Sequence, residues 1–188
     1  LLTATASKTA QSGTYSVKIE QLATGSKTAT AALASDFKTT DAGTLTVKVG
    51  SGEGIEVAID ADASLEDVKT ALNAALKDSG VSANLLTDPS TGNTRLVMSS
   101  STTGAGEDVS ISASTGLEAL AIDTENAVVG GAGGVLERAQ NAKFSIDGLA
   151  MQSKTNKVEN AIPDVTLNLV AADDKKAITV TVAQDQGG

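Results

Sequence analysis

The sequence predicts a mainly β fold with one or two helices, arranged as two small domains of which one is inserted into the other. Several short stretches alternate apolar and polar residues, as half-buried strands do, and one stretch changes to helical spacing. Aromatic residues are only 2% of the 188 residues, so Val, Ile, Leu and Ala must build the cores. We expect an inner β-rich domain from residues 1–40 and 136–188 and an inserted outer domain from residues 41–135.

The first strand-forming regions show the clearest alternation. Residues 13–23 place Tyr15, Val17 and Ile19 on one side of a strand. Residues 42–60 predict a hairpin around a loop at Gly50–Gly54. The facing apolar residues of this hairpin are Leu45, Val47 and Val49 on one strand and Ile55, Val57 and Ile59 on the other. The strand at 13–23 has no partner strand close to it in the sequence, so it must pair with strands much later in the chain. This indicates that residues 41–135 are inserted into the domain that contains the strand.

One helix is predicted between residues 64 and 78. Ser64 is a suitable N-cap, and Asp67 stands at capping-box distance, although Glu or Gln is more usual there. Gly80 supplies a C-terminal stop. The apolar stripe expected to face the core consists of Leu65, Val68, Leu72, Ala75 and Leu76.

Residues 80–104 predict a hairpin that packs beside this helix. The first strand turns Val81, Ala83 and Leu85 inward, and the return strand turns in either Leu96 and Met98 or, in a shifted register, Arg95 and Val97. The connection TDPSTGN contains Pro89 and the pair Gly92-Asn93, which form a turn without needing a ligand. We interpret residues 88–93 as an outward-facing tip. Its replacement by an Asn-Gly turn should therefore preserve the fold and its cooperative unfolding.

The remaining chain predicts further strands and one break. Residues 142–153 predict a hairpin around Asp147-Gly148. Alternating strands are predicted at residues 107–113, 165–171 and 177–185, the last two joined by the charged turn ADDKK. The glycine-dense stretch 128–135 contains Gly130, Gly131, Gly133 and Gly134. We interpret these glycines as a hinge or linker between the inner and outer domains, with an ordinary surface loop as the alternative.

Composition excludes several classes of function. The chain has no Cys and no His, which removes thiol nucleophiles, zinc bound through thiolate or imidazole, and imidazole acid–base chemistry. A net charge of −9 and the shortage of aromatic residues argue against nucleic-acid binding. No stretch approaches the apolar length of a membrane helix, and no signal peptide is recognisable. The start without Met suggests a segment excised from a longer protein.

Three sequence patterns could indicate a calcium site, a phosphate loop or a catalytic carboxylate pair, but the residues around each pattern argue against that interpretation. Asp60, Asp62 and Ser64 match the first ligand positions of an EF-hand loop, but Leu65 and Ala71 stand where its Gly and Glu belong. The glycine-containing stretches 102–108 and 130–134 lack the strand-to-helix context of a phosphate loop. The carboxylate pairs are adjacent in turns, where charge is usually solvated: Glu107/Asp108 and Asp173/Asp174. We therefore expect no enzyme activity, no catalytic residue, no cofactor and no metal.

Three segments, in order along the chain, carry a resemblance. GTYSVKIEQLA followed by TATAALASDF is the first. The second matches the flagellin hook IN motif at Asn73, Ala74, Gly80, Val81, Ser82, Ala83, Arg95, Leu96, Val97, Thr103 and Gly104. The third comprises Asn141–Gly148, Ser153, Asn156 and Val165–Leu169; it departs from the usual pattern at residues 162–165, where Asp164 takes the place of a frequent Gly. Together they resemble the head region of the bacterial flagellar filament-capping family, the hook-associated protein 2 family.

This resemblance implies a structural assembly protein. The family's proteins form a ring at the distal tip of the growing filament, retain exported flagellin there, and promote its folding and insertion. The implied partners are further copies of the protein and flagellin, and the implied location is extracellular, reached through the flagellar export apparatus without a cleaved signal peptide. The residues that contact flagellin or neighbouring copies are not readable from the sequence.

Two alternatives to capping stay open at this point. A surface adhesin module would add a host receptor, glycan or mucin as partner, since polar β-rich domains exposed outside a cell often bind such ligands. A hook–filament junction protein or a flagellin outer domain is the alternative within the same apparatus.

Overall fold

The structure, a computed structural model, describes residues 1–183, and the chain divides into two compact units. Unit 1 consists of Leu1–Thr24 and the chain from Gln140 onward, and unit 2 is the continuous segment Gly25–Ala139. The predicted fold class is confirmed, because strands dominate the described residues and are joined by a single α-helix and a short 3-10 helix. Unit 2 interrupts unit 1 in chain order.

The elements follow one another as a long series of short strands. In chain order they are β1 Leu2–Ala6, β2 Gly13–Gln21, β3 Gly25–Ala29, β4 Gly43–Val49, β5 Ile55–Ile59, α1 Leu65–Leu76, β6 Val81–Thr87, β7 Thr94–Thr103, β8 Val109–Ala113, the 3-10 helix Glu118–Leu120, β9 Gly134–Glu137, β10 Ala142–Ile146, β11 Leu149–Ser153, β12 Lys157–Ile162, β13 Val165–Leu169 and β14 Asp173–Val182.

Unit 1 is built from two antiparallel sheets, with strand orders β1-β13-β12 and β11-β10-β2-β14. The strand predicted at 13–23 is β2, and it pairs with β10 and β14 from the far end of the chain. Alternation along β2 buries Val17 and Ile19, which join Phe144 and Leu167 in one apolar core. A strand that is isolated in sequence thus obtains its partners only after unit 2 has been traversed.

Unit 2 contains the sheets β6-β7-β3-β9 and β5-β4-β8, and α1 packs against β5 and β6. The predicted helix start is confirmed: the Ser64 hydroxyl accepts a bond from the Asp67 N–H, and the Asp67 carboxylate accepts one from the Ser64 N–H, both 3.1 Å long. The stripe from Leu65 to Leu76 is buried at every predicted position except Ala75, which is exposed. Ala75 lies about 60° from the centre of the stripe, at 100° per residue.

The hairpins at 80–104 and 142–153 form as predicted, with Thr87 opposite Thr94 and Ile146 opposite Leu149 at their turns. Both alternatives considered for β7 are partly realised, because Leu96, Met98 and Val97 are all buried. Leu96 and Met98 belong to the main core of unit 2, whereas Val97 does not. This strand lies between β6 and β3 in its sheet, and residues of both its faces are buried at positions 96–98.

Several expectations need correction. Residues 25–40 and 136–139 belong to unit 2, not to the inner domain predicted at 1–40 and 136–188, because β3 pairs with β7 and with β9, which ends at Glu137. In the hairpin of β4 and β5, Leu45 faces Val57 and Val47 faces Ile55, so Val49 lies beyond the pairing and faces Val109 of β8 instead.

The charged turn ADDKK is also wrong as predicted. Asp173 already belongs to β14, and the following residues leave the register with β2 before pairing resumes at Ile178. The strands β13 and β14 belong to different sheets. Of the strand predicted at 177–185, residues 184 and 185 lie outside the described residues.

Candidate interaction surface

An open cavity of about 450 Å³ lies beside the turn between β6 and β7, within unit 2. We call it the tip cavity. Its apolar surface includes Leu86, which is 60% exposed, and its polar groups come from the turn, from β7 and from the glycine-rich segment. The residues that line it are Ala32, Leu86, Thr87, Asp88, Thr91, Asn93, Arg95, Gly130 and Gly131. Val129, the chain neighbour of Gly130, is 72% exposed. The surface is thus shallow and of mixed polarity, which suits contact with another macromolecule better than enclosure of a small molecule.

Arg95 ties the segments around this cavity together. Its Nη1 donates to the carbonyl oxygens of Thr30 at 2.8 Å and Ala132 at 2.9 Å, and its Nη2 donates to the carbonyl oxygen of Gly130. The N–H of Ala32 adds a bond to the Gly131 carbonyl at 3.0 Å. A guanidinium with several donors in one plane can serve three carbonyls in this way, so Arg95 holds the glycine-rich segment against the chain at Thr30, within unit 2.

The four glycines predicted as a hinge, Gly130, Gly131, Gly133 and Gly134, lie inside unit 2, whereas the chain passes between the units at residues 24–25 and 139–140. A Cβ on Gly133 would lie 2.7 Å from the backbone of Thr30 and Ala31, and a Cβ on Gly134 would lie 2.3 Å from the Asn126 carbonyl oxygen. Close backbone approach therefore explains these two glycines. The hinge interpretation is corrected: the stretch is a packed surface loop that leads into β9.

The tip turn is organised by its own side chains. The Asp88 carboxylate accepts bonds from the Ser90 hydroxyl at 2.7 Å and the Ser90 N–H at 2.9 Å. The bond from the Ser90 hydroxyl, and to a smaller extent the bond from its N–H, lower the pKa of Asp88 from its ordinary value of 3.8. The Gly92 N–H also bonds the Asp88 carbonyl at 2.7 Å. Bonds within the turn account for Asp88, Ser90 and Gly92, and no ligand is needed to explain why these residues are present.

Two asparagines that carry the family resemblance have a common structural role. Asn73 donates to the Ala83 carbonyl at 2.9 Å and accepts from the Ala83 N–H at 2.8 Å. Asn156 does the same for Ala23, at 2.9 Å and 2.7 Å. In each case an amide side chain satisfies both the N–H and the C=O of one alanine, Ala83 on β6 and Ala23 just after β2. The sequence singled out both asparagines but could not show what they bind.

Three of the acidic groups considered from the sequence make contacts within the chain. Asp108, whose side chain is 12% exposed, accepts from the Ala139 N–H at 2.9 Å and pairs with Arg138 at 3.3 Å. Asp62 pairs with Lys38 at 3.8 Å, and Asp173 accepts from the Lys175 N–H at 3.0 Å. Among residues 1–183, no group of three His, Cys, Asp or Glu residues is placed to hold a metal ion. No helix in this part of the chain is long and apolar enough to cross a membrane.

Comparison with known families and proteins gives matches over nearly the whole chain. The family described as the flagellar hook-associated protein 2 C-terminus matches residues 139–188, and the flagellin hook IN motif matches residues 44–102. The A-type flagellar hook-associated protein 2 of Pseudomonas aeruginosa is 43% identical over 99% of this chain, and the B-type protein is 34% identical over 100% of it. The chain spans 42% of the length of each of these relatives.

Solved structures give the same answer. The crystal structure of FliD from Pseudomonas aeruginosa PAO1 matches with a TM-score of 0.88 at 33% identity, over 99% of this chain and 86% of that one. The D2-D3 domains of the flagellar cap protein FliD from Escherichia coli match with a TM-score of 0.81 at 26% identity, over 98% of this chain and 95% of that one. The resemblance expected from the sequence is confirmed, and the chain belongs to the flagellar hook-associated protein 2 (FliD) family.

Proposed function

We propose that this chain is the head portion of a flagellar cap protein that retains exported flagellin at the filament tip and promotes its folding and insertion. The observation that carries the proposal is the match along 99% of the chain to a FliD crystal structure, at a TM-score of 0.88. The relatives with printed roles are flagellar cap proteins, and the chain shares their fold. In this role the protein works outside the cell, at the end of the flagellum.

The proposed mechanism depends on surfaces and not on bond chemistry. Retention of flagellin requires that several copies of the whole protein assemble into a ring, whose plate blocks the escape of subunits. Shallow, mixed surfaces such as the tip cavity, which exposes Leu86 beside Arg95, suit contacts between large partners. The carboxylates discussed above are engaged by backbone N–H groups and basic side chains, which supports a structural role over an enzymatic one.

The test uses cells that lack the full-length gene, with flagellin monomers in the medium counted against filaments on the cells. We expect abundant secreted monomer and few filaments, and rescue by the intact gene. The empty vector is the control for rescue, and the secreted monomer itself shows that export still operates. Normal filaments in the absence of the gene would overturn the proposal. Adhesion is not proposed, because no compared relative is named for binding a host receptor or mucin.

A further inference from the structure

The first part of β14 bulges out of its sheet in unit 1 and carries a run of charged residues. The pairing of β14 with β2 stops at Asp173 and resumes at Ile178, so the chain between them leaves β2. Residues 174–177 are all exposed. Because β14 is the end strand of its sheet, no further strand within residues 1–183 pairs with this segment.

The charges of the segment have no oppositely charged partner within residues 1–183. Their order is Asp173-Asp174-Lys175-Lys176. The Lys175 N–H donates to the Asp173 carboxylate at 3.0 Å, and this bond leaves both ammonium groups and the Asp174 carboxylate free. The segment therefore presents two negative and two positive charges to the outside.

The other end strands of unit 1 differ from β14 in this respect. The strands β1 and β11 carry no charged residue. The strand β12 carries Lys157 and Glu159, but these two side chains pair with each other at 3.3 Å. Of the four end strands, β14 is thus the one that exposes charges without a partner inside the described part of the chain.

The order of the charges makes the segment complementary to itself. Two copies can place it side by side in antiparallel directions, about a two-fold axis between residues 174 and 175. Asp174 of each copy then lies opposite Lys175 of the other copy. In the same register each Asp173 lies opposite a Lys176, so every charge meets an opposite charge.

The flanks of the segment suit such a contact. Ala172 and Ala177 come opposite each other in the same register, and both are small and exposed. Val170, two residues before Ala172, is 60% exposed and adds apolar surface. This surface matters because single exposed ion pairs contribute little to association.

We propose that residues 173–176 form a two-fold contact with the same residues of a second copy of the protein. Two Asp174–Lys175 pairs lie at its centre, and the outer charges of the segment pair on either side. The contact goes beyond the proposed function, because a ring of more than two copies needs head-to-tail contacts between different surfaces. Here one surface meets itself, so the contact joins copies that are not neighbours in one ring.

The charge order also distinguishes a second copy from other occupants. A uniformly acidic or uniformly basic segment would meet a like charge at half of the four positions, which is destabilising. Charges of one sign on an end strand normally repel another copy of the same strand. The mixed order in β14 does not, because the antiparallel arrangement brings each aspartate to a lysine.

The first measurement exchanges charges only at the central pair, so that the bond to Asp173 is kept. Association of the full-length protein is followed by sedimentation velocity at low ionic strength, where exposed charges are least screened. Asp174→Lys and Lys175→Asp each bring like charges together twice, because of the symmetry. We expect each to weaken the contact about ten-fold. Ring contacts through other surfaces are the same in all variants, so differences between variants report this contact.

Two further samples separate pairing from a general effect of charge. An equal mixture of the Asp174→Lys and Lys175→Asp proteins should recover the wild-type association, because opposite charges face each other again. The double variant Asp174→Lys/Lys175→Asp should also associate like the wild type, for the same reason. The matched control is Lys143→Asp, the same charge change at an exposed position on β10 of the same sheet, and it should leave the contact unchanged.

Disulfide trapping locates the contact, because this chain contains no cysteine of its own. A mixture of Asp174→Cys and Lys175→Cys proteins should form a cross-linked pair. Residues directly opposite each other in antiparallel chains lie within the distance that a disulfide spans. A mixture of Asp174→Cys and Lys143→Cys proteins should not cross-link, because residue 143 lies outside the contact.

Four results would overturn the inference: wild-type protein without salt-sensitive association, no recovery in the mixture or the double variant, an equal loss with Lys143→Asp, or no cross-link between positions 174 and 175. The loss with Lys143→Asp would show that net charge alone controls association. Filament counts keep this inference apart from the proposed function. If the wild-type gene restores filaments but its protein shows no two-fold contact, the capping proposal stands and the contact is wrong.

Discussion

The two units are made of the same kind of short strands but differ sharply in charge. Residues 25–139 contain seven Lys and Arg and sixteen Asp and Glu, whereas the rest of the chain contains seven of each, so unit 2 carries the whole net charge of −9. Unit 2 also holds α1. Similar β construction therefore supports two units of different charge, an acidic unit 2 and a neutral unit 1.

The units nevertheless share one way of satisfying the backbone of a single residue. Asn73 in unit 2 and Asn156 in unit 1 each form two hydrogen bonds with the backbone of an alanine. Both asparagines are part of the motifs by which the family is recognised. The comparison teaches that these motifs mark architectural positions, while the difference in charge marks where the units can act differently on partners.

The largest expected effect comes from the two cores. Leu72→Ala in unit 2 and Leu167→Ala in unit 1 each remove a fully buried side chain and should lower the free energy of unfolding by about 2–5 kcal/mol. Because each residue packs in a separate core cluster, we expect lost amide-exchange protection to stay within the mutated unit. Residue-level hydrogen exchange measures this. Equal loss of protection in both units would show that they unfold as one.

The second prediction concerns the paired asparagines. Asn73→Ala and Asn156→Ala should each cost about 2 kcal/mol, because a partly buried N–H and C=O lose their partners. Urea unfolding of each variant gives the cost. The control is Asn84→Ala, at an exposed position on β6, which should change stability by less than about 0.5 kcal/mol. If Asn73→Ala behaved like Asn84→Ala, the bonds to Ala83 would contribute nothing to unit 2.

A smaller effect is expected at Arg95. Arg95→Ala removes the bonds to the carbonyls of Thr30, Gly130 and Ala132 and should cost about 1–2 kcal/mol. Amide exchange should accelerate at Ala32, whose N–H bonds Gly131. Arg95→Lys should recover only part of the loss, because an ammonium cannot reproduce the planar fork. Unchanged exchange at Ala32 in both variants would show that the glycine-rich segment is held without Arg95.

The smallest effect is electrostatic and directly tests the charge difference. Raising the ionic strength from about 10 mM to about 150 mM shortens the Debye length from about 30 Å to about 8 Å. Self-repulsion in unit 2 should be relieved, which raises its unfolding free energy by up to about 1 kcal/mol. Unit 1, with balanced charges, is the internal control. Equal stabilisation of both units would show that net charge does not distinguish them.

Much of the fold could be read from local patterns. The alternation of Val17 and Ile19, the capping pair Ser64 and Asp67, and the turn Asp147-Gly148 all lie where the sequence predicts them. The signal for each of these features is contained in a few neighbouring residues, so no knowledge of distant partners is needed. The family resemblance was readable for the same reason, since its motifs are short and occur in order.

The sequence by itself therefore determined the fold class, the helix, the main hairpins and the family. Only the tertiary structure decided that β3, a short strand of small and polar residues, belongs to unit 2, and that the glycine-rich segment is packed under Arg95. The tertiary structure also decided which strands end each sheet, such as β11 and β14 in one sheet of unit 1. The physical reason is that periodicity is a local property, whereas strand partners, edges and close backbone approach depend on contacts between residues far apart in the chain.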